Sequence, residues 1–216
     1  MDFRNGHREL WLVRHGQTPA SLARTLAGWE DVPLTEAGEA QAAALRPVLA
    51  GERFDGVWSS DLQRALTSAR LAWGEPTADR RLREMSFGRL EGVLWETLAP
   101  RWQQGLTRFE GFEPPGGETF AELRSRVLSF VDALPAGRHL VFTHGGVVRL
   151  LSREAGEDYF VPTGSLLVLD WEARRVVSRR DGAGEASRGL PTATTETSDV
   201  AAEPTGAGLG PGTTRA

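Results

Sequence analysis

Residues 139–151, His139-Leu140-Val141-Phe142-Thr143-His144-Gly145-Gly146-Val147-Val148-Arg149-Leu150-Leu151, decide the fold. The first five read as a strand, which feeds a Gly-Gly turn and an apolar helix from Val147. The same alternation runs outward along the chain. Leu10-Trp11-Leu12-Val13 is a short buried strand, followed after a loop by Thr35 and an Ala-rich helical stretch from Glu36 to about Leu49. Val57-Trp58 leads into Ser60 and Gln63, which have capping-box spacing, and Leu62, Leu66, Ala69 and Trp73 then share one helix face. A second capping box, Thr119 and Glu122, opens the clearest amphipathic helix, with Phe120, Leu123, Val127, Phe130, Val131 and Leu134 at helical spacing up to Pro135. Ser165 to Trp171 and Val176-Val177 read as two last strands in a hairpin at the sheet edge. Strand and helix in alternation predict an α/β fold: an open, mainly parallel sheet flanked by helices on both faces. Residues 88–117 break the rhythm. They hold Trp95, Trp102, Phe109 and Phe112, close on Pro114-Pro115-Gly116-Gly117, and read as a small helical insertion over the strand C-terminal ends.

Composition narrows the chemistry. The chain has 216 residues and its 25 cationic side chains are all arginine; lysine and cysteine are absent. No Schiff-base or P-loop lysine, no thiolate nucleophile and no thiol-ligated metal is available, so covalent catalysis needs another nucleophile. The net charge of −4 argues against a broad cationic face for nucleic acid or anionic lipid and fits a small anionic substrate. Neither a charged-then-apolar leader nor an apolar run of about 18 residues is present, which points to a soluble, cytoplasmic protein. From Asp181 to Ala216 the sequence turns to Gly, Ala, Thr and Pro without an aromatic residue. Residues 181–216 are therefore expected to be a disordered tail behind one domain, 1–180.

In open α/β sheets, ligands bind beyond the carboxyl ends of the strands. Arg14-His15-Gly16-Gln17-Thr18 follows the Leu10–Val13 strand, Ser59-Ser60 and Arg64 follow Val57-Trp58, and Thr143-His144-Gly145-Gly146 closes the strand that starts at His139, so two histidines and two arginines converge on one rim. That set suits phosphoryl transfer through histidine. A neutral imidazole is a competent nucleophile, and neighbouring guanidinium groups disfavour its protonated form while binding a phosphate dianion through bidentate contacts. Glycine at 16 leaves room for the phosphate, and a second histidine, if protonated, can donate to its oxygens in the transition state. The position of Arg64 in the first turn of its helix stacks a cation on a positive helix end, which is unfavourable unless an anion binds there. An alkoxide leaving group also needs a proton. The candidate donor is Glu84, at the mouth of the insertion; Glu91 lies nearby, and either carboxylate could be an ordinary surface charge. His7 and His139 read as exposed or structural, and the insertion aromatics more as a small core than as a substrate cage.

Arg14-His15-Gly16, Pro33-Leu34-Thr35-Glu36-Ala37-Gly38, Ser59-Ser60-Asp61-Leu62-Gln63-Arg64-Ala65, Glu84-x-x-x-Gly88-x-x-Glu91-Gly92 and Thr143-His144-Gly145-Gly146 occur in the order found in the histidine phosphatase superfamily. The chain resembles the branch of that superfamily that contains phosphoglycerate mutase, over roughly residues 9–171. The resemblance implies that His15 is the phosphohistidine nucleophile and that Arg14, Arg64 and His144 form the phosphate pocket. It makes Glu84 the proton donor that later activates water, and sets Gln17, Thr18 and Gly28 at the substrate mouth. Where family members commonly have Trp-Asn, this chain has Ala20-Ser21, which hands a phosphate contact to the Ser21 hydroxyl. Mutases of the branch hold the glycerate carboxylate with a lysine and extra arginines from a longer insertion, and this chain has no lysine. The expectation is a phosphomonoesterase that needs no metal or cofactor. It would act as a monomer or homodimer on a small phosphorylated metabolite, with neither nucleic acid nor membrane as partner, like short bacterial members assigned to α-ribazole phosphate. A phosphoglycerate mutase and a non-catalytic phospholigand-binding module are the alternatives.

Overall fold

Alternation within each strand sends successive side chains to opposite faces of a sheet, and both faces of this sheet are apolar. In the computed structural model, which describes residues 6–182, the strands are β1 (Arg8–Arg14), β2 (Gly56–Ser59), β3 (Thr77–Ala78), β4 (Gly137–Thr143), β5 (Leu166–Asp170) and β6 (Arg175–Arg180). Nearly all of the expected tail lies outside the described residues. The sheet order is β3-β2-β4-β1-β5-β6. Strands β3, β2, β4 and β1 run parallel, while β5 and β6 form the antiparallel hairpin at one edge.

Helices cover both faces: α1 (Pro19–Ala23), α2 (Glu36–Ala43), α3 (Arg46–Leu49), α4 (Gln63–Ala72), α5 (Pro100–Arg108), α6 (Phe120–Asp132) and α7 (Gly145–Glu154). Leu10, Leu12, Val141, Leu167 and Leu169 pack on one face with Leu123, Val127 and Phe130 of α6 and Val147, Val148 and Leu151 of α7. Val13, Leu140, Phe142, Leu166 and Val168 pack on the other with Leu45 and Leu49 of the α2–α3 segment and Ala69 and Ala72 of α4. Two cores, one per face, enclose the sheet.

Local chemistry explains where the helices depart from expectation. The stretch from Glu36 breaks into α2 and α3 because Pro47 lacks an N–H and its ring crowds the carbonyl four residues back. The Thr119/Glu122 capping box forms. The Ser60/Gln63 box does not: the Gln63 N–H goes to Asp31 Oδ1 at 2.7 Å, and Ser60 is committed elsewhere. Residues 88–117 fold as two short 3-10 turns, Gly88–Leu90 and Trp95–Thr97, followed by α5. Phe112 is buried there with its ring edge-on to Phe87 and Trp102.

Register sets the site. Arg14 lies beside Thr143 and Ser59 beside Phe142, so β1, β4 and β2 end level with one another. The next residues along, His15, His144 and Ser60, therefore emerge on a single rim.

Candidate active site

The rim opens into a cavity of about 700 Å³ lined at its base by Arg14, His15, Arg64, Glu84, Gly145 and Gly146. His15 is buried, and its Nδ1 lies 2.7 Å from the carbonyl oxygen of Gly16. A carbonyl only accepts, so Nδ1 carries the hydrogen and Nε2 keeps its lone pair. Burial, then Arg64, then Arg14, hold the His15 pKa well below the ordinary histidine value. The ring is a neutral imidazole with one free nitrogen.

His144 stands at the N-cap of α7, but its side chain does not cap the helix. Arg64 Nε donates to its Nδ1 at 3.3 Å, and its Nε2 donates to Ser60 Oγ at 2.8 Å. Burial, then Arg64 and His15, hold its pKa well down too. The protonated second histidine considered from the sequence is thus neutral here, because burial, and then the charges of Arg64, Arg14 and Arg126, disfavour the imidazolium. The imidazole rings of His15 and His144 sit 5.1 Å apart, edge to face.

Arg64 is 1% exposed, on the first turn of α4. It donates to the Gly28 and Glu30 carbonyls, each at 2.7 Å. These partners are carbonyl oxygens and a neutral ring, so its charge is available to an anion in the cavity. Arg14 is held by the Val161 carbonyl and lies 5.6 Å from the Phe160 ring centroid. Gly145 passes beneath it, and a side chain there would come within 3.2 Å of the guanidinium carbon.

Glu84 is clamped by backbone. Its Oε1 accepts the Met85 N–H at 2.9 Å and its Oε2 accepts the Gly146 N–H at 3.0 Å, across the start of α7. A Cβ on Gly146 would come within 2.3 Å of Glu84 Oε1, so glycine at 146 is what lets the carboxylate reach the cavity. Glu84 lines the cavity and Glu91 does not. Glu91 ties two loops together, taking the Trp29 and Phe87 N–H groups at 3.0 Å each.

Thr18, Ser21 and Gly28 line the cavity, but Gln17 does not: its side-chain oxygen accepts from Thr35 at 2.9 Å and its N–H goes to Gln41. The Ser21 hydroxyl forms a capping box with Thr18 at the start of α1, donating to the Thr18 carbonyl at 3.0 Å. A phosphate contact would require it to leave that bond. Gly16 also has a different reason from the one expected: a Cβ there would collide with the Gly38 carbonyl oxygen at 2.1 Å, so the glycine serves backbone contact with α2.

Three supporting residues were not singled out from the sequence. Ser60 orients His144. Arg126, on α6, donates to the carbonyls of Arg81, Arg83 and Glu84 at 2.8 to 3.1 Å and pairs with Glu118 at 2.6 Å. Trp29 Nε1 donates to the Glu84 carbonyl at 2.7 Å. Of these, only Ser60 lies inside a quoted motif; the other two touch Glu84 through its backbone, which no side-chain pattern records.

Toward solvent the cavity turns apolar, with Leu22, Leu26, Trp95, Leu106, Phe109 and Phe160 on its walls. Phe109 caps α5 with φ of 55°, a left-handed conformation that costs a non-glycine residue about 1–3 kcal/mol. Stacking on Phe120 at 4.2 Å, with Arg149 and Arg153 at 5.0 and 5.7 Å, holds it there. At the opposite end of the sheet, His7, Asp170 and Glu172 bring ligand atoms within 4.8 Å of one another, the described residues that could gather around a metal ion. Both carboxylates already face arginine, Glu172 with Arg8 at 2.7 Å and Asp170 with Arg175 at 3.5 Å. Among the described residues, no helix is long and apolar enough to cross a membrane.

A 2,3-bisphosphoglycerate-dependent phosphoglycerate mutase from a Methylobacterium species is 37% identical over 163 residues, covering 67% of this chain and 78% of the mutase. The adenosylcobalamin/alpha-ribazole phosphatase of Salmonella typhimurium is 35% identical over 154 residues, covering 66% of this chain and 76% of the phosphatase. The crystal structure of TTHB049 from Thermus thermophilus superposes with a TM-score of 0.75 at 49% identity, covering 80% of this chain and 99% of that one. The model for branch 1 of the histidine phosphatase superfamily matches residues 10–180, and the chain belongs to that superfamily.

Proposed function

We propose that the protein is a phosphomonoesterase that works through a phosphohistidine on His15, with α-ribazole phosphate among its candidate substrates. The observation that carries the reading is the tautomer of His15, a neutral ring whose Nε2 lone pair is free beside Arg14 and Arg64. Nε2 attacks phosphorus while the ester P–O bond breaks, and Glu84 serves as the acid that passes a proton to the departing alkoxide oxygen. A water then attacks phosphorus, Glu84 takes the water's proton, and the P–N bond breaks to return neutral His15 and inorganic phosphate. Arg14 and Arg64 hold the charge of the transferring group. Neutral His144 supports this by accepting the Arg64 Nε hydrogen bond, which holds that guanidinium at the cavity.

The test is phosphate release from an aryl phosphate in EDTA, with acid-labile, alkali-stable phosphate trapped on the protein. Both signals are expected to vanish in His15→Ala; release that persists in that variant overturns the mechanism. The mutase reading has one specific observation in its favour, the identity to the Methylobacterium enzyme. It predicts 2-phosphoglycerate from 3-phosphoglycerate, where the phosphatase reading predicts free phosphate. The phosphatase reading also has the protein acting in the cytoplasm on a diffusible metabolite, which cell fractionation checks.

A further inference from the structure

Resting on the phosphatase reading, we infer that the outer cavity is a leaving-group subsite that selects phosphomonoesters of bulky apolar alcohols, alkyl or aryl, over those of small carboxylic acids. Size is the first observation. About 700 Å³ falls within the roughly 300–1,000 Å³ of pockets that enclose drug-sized ligands. A phosphate with three carbons would fill only the base.

Lining is the second. Leu22, Leu26, Trp95, Leu106, Phe109 and Phe160 form a wall on which an anionic leaving group would lose hydration without gaining a partner. The two arginines that line the cavity away from its base are already committed. Arg149 spends its guanidinium on Asp158 at 2.6 and 2.9 Å and on the Leu106 and Thr107 carbonyls. Arg24 pairs with Glu96 at 2.8 Å.

Exposure is the third. Leu22 and Phe160 line the cavity yet are 61% and 42% exposed, which leaves two large apolar side chains in water unless a ligand covers them. The left-handed Phe109 adds a strained residue on the same wall. Strain and exposed apolar surface coincide on one side of one cavity.

The experiment uses n-alkyl phosphates from ethyl to hexyl, whose leaving alcohols differ little in acidity, together with the matching n-alkylphosphonates, which cannot be hydrolysed. In the full chain, kcat/KM is expected to rise, and phosphonate Kd to fall, about fourfold per methylene, the equivalent of about 0.8 kcal/mol each. An ω-carboxylate is expected to cancel the gain. Leu22→Asp, at an exposed position, and Phe109→Gly, which relieves the left-handed backbone, are expected to flatten both slopes. Turnover with neither kcat/KM nor Kd responding to chain length overturns the subsite and leaves the phosphatase reading standing. Graded phosphonate binding without turnover overturns the phosphatase reading instead and supports the apolar site.

Discussion

The cavity has two ends built on opposite principles. At its base, His15, Arg64 and Glu84 each have polar atoms fixed by hydrogen bonds to backbone, and His144, which does not itself line the cavity, is bonded to the Arg64 and Ser60 side chains; all but Glu84 are buried. At its mouth, the groups are mainly apolar, come from α1 and the loop after it, the insertion and the segment before β5, and Leu22 and Phe160 among them are exposed. The base gains its precision from strand ends brought level by register, where a shift of one residue would move every group. The mouth needs only shape and apolar area, so its residues can change without disturbing the chemistry. On the phosphatase reading, one end serves the transferring phosphoryl group, common to all phosphomonoesters, and the other the alcohol that distinguishes them.

On the phosphatase reading, replacing Glu84 should strike the base without touching the mouth. Glu84→Gln keeps the size of the side chain and an acceptor for the Gly146 N–H but has no proton to give. The expected loss in kcat on an alkyl phosphate is about 10²- to 10⁴-fold. On an aryl phosphate whose phenolate leaves unaided, the loss in the first step should be small. Equal loss on both substrates, measured by the release of the first equivalent of alcohol, would mean that Glu84 only shapes the pocket.

Arg126 should give a weaker version of the same signature. It is a positioning residue: it holds the backbone of Arg81, Arg83 and Glu84 and never reaches the cavity. In Arg126→Ala, kcat on alkyl phosphates is expected to fall by up to about 10²-fold with KM little changed, because a small misplacement of a catalytic group suffices for that. Arg126→Lys should recover part of it, since an ammonium can still pair with Glu118. The reading of the base as backbone-clamped fails if aryl and alkyl phosphates are slowed alike.

Legibility divides along the same line. Arg14, His15 and His144 directly follow apolar strand runs, so local pattern alone placed them at carboxyl ends, and Arg64 followed from its place in a helix start. Capping boxes were legible only where nothing competed: Thr119 and Glu122 capped α6, whereas Ser60 was drawn to His144, 84 residues away, by sheet register. Gly16 was legible as a close approach but not as an approach to α2. Gln17 and Ser21 sit in the right loop, yet their side chains satisfy backbone and neighbours, a choice that depends on Thr35, Gln41 and Thr18 together. The insertion aromatics serve both readings at once: Trp95 and Phe112 belong to the core, Trp102 and Phe109 pack against it, and Trp95 and Phe109 also line the cavity. Periodicity reports which face a residue occupies; it does not report what the facing wall is made of.

The base carries a cost that the mouth does not, and pH exposes it. His15 and His144 are both held neutral in the native state by burial and by Arg64, with pKa values well below the ordinary 6.5. In the unfolded chain they regain that ordinary value. Between 6.5 and their native values, the unfolded state therefore binds protons that the native state refuses, so stability falls as pH falls. The slope is about 1.4 kcal/mol per pH unit for each histidine within that window. Urea midpoints from about pH 8 to about pH 5 should be flat above about 7 and should decline below about 6.5 with a slope approaching two protons. His144→Gln should reduce that slope to one, whatever it does to stability at high pH, while Leu22→Asp at the mouth should leave it unchanged. A profile that is flat through this range would show that the buried pair titrates normally, and the free Nε2 of His15 would then be a property of high pH alone.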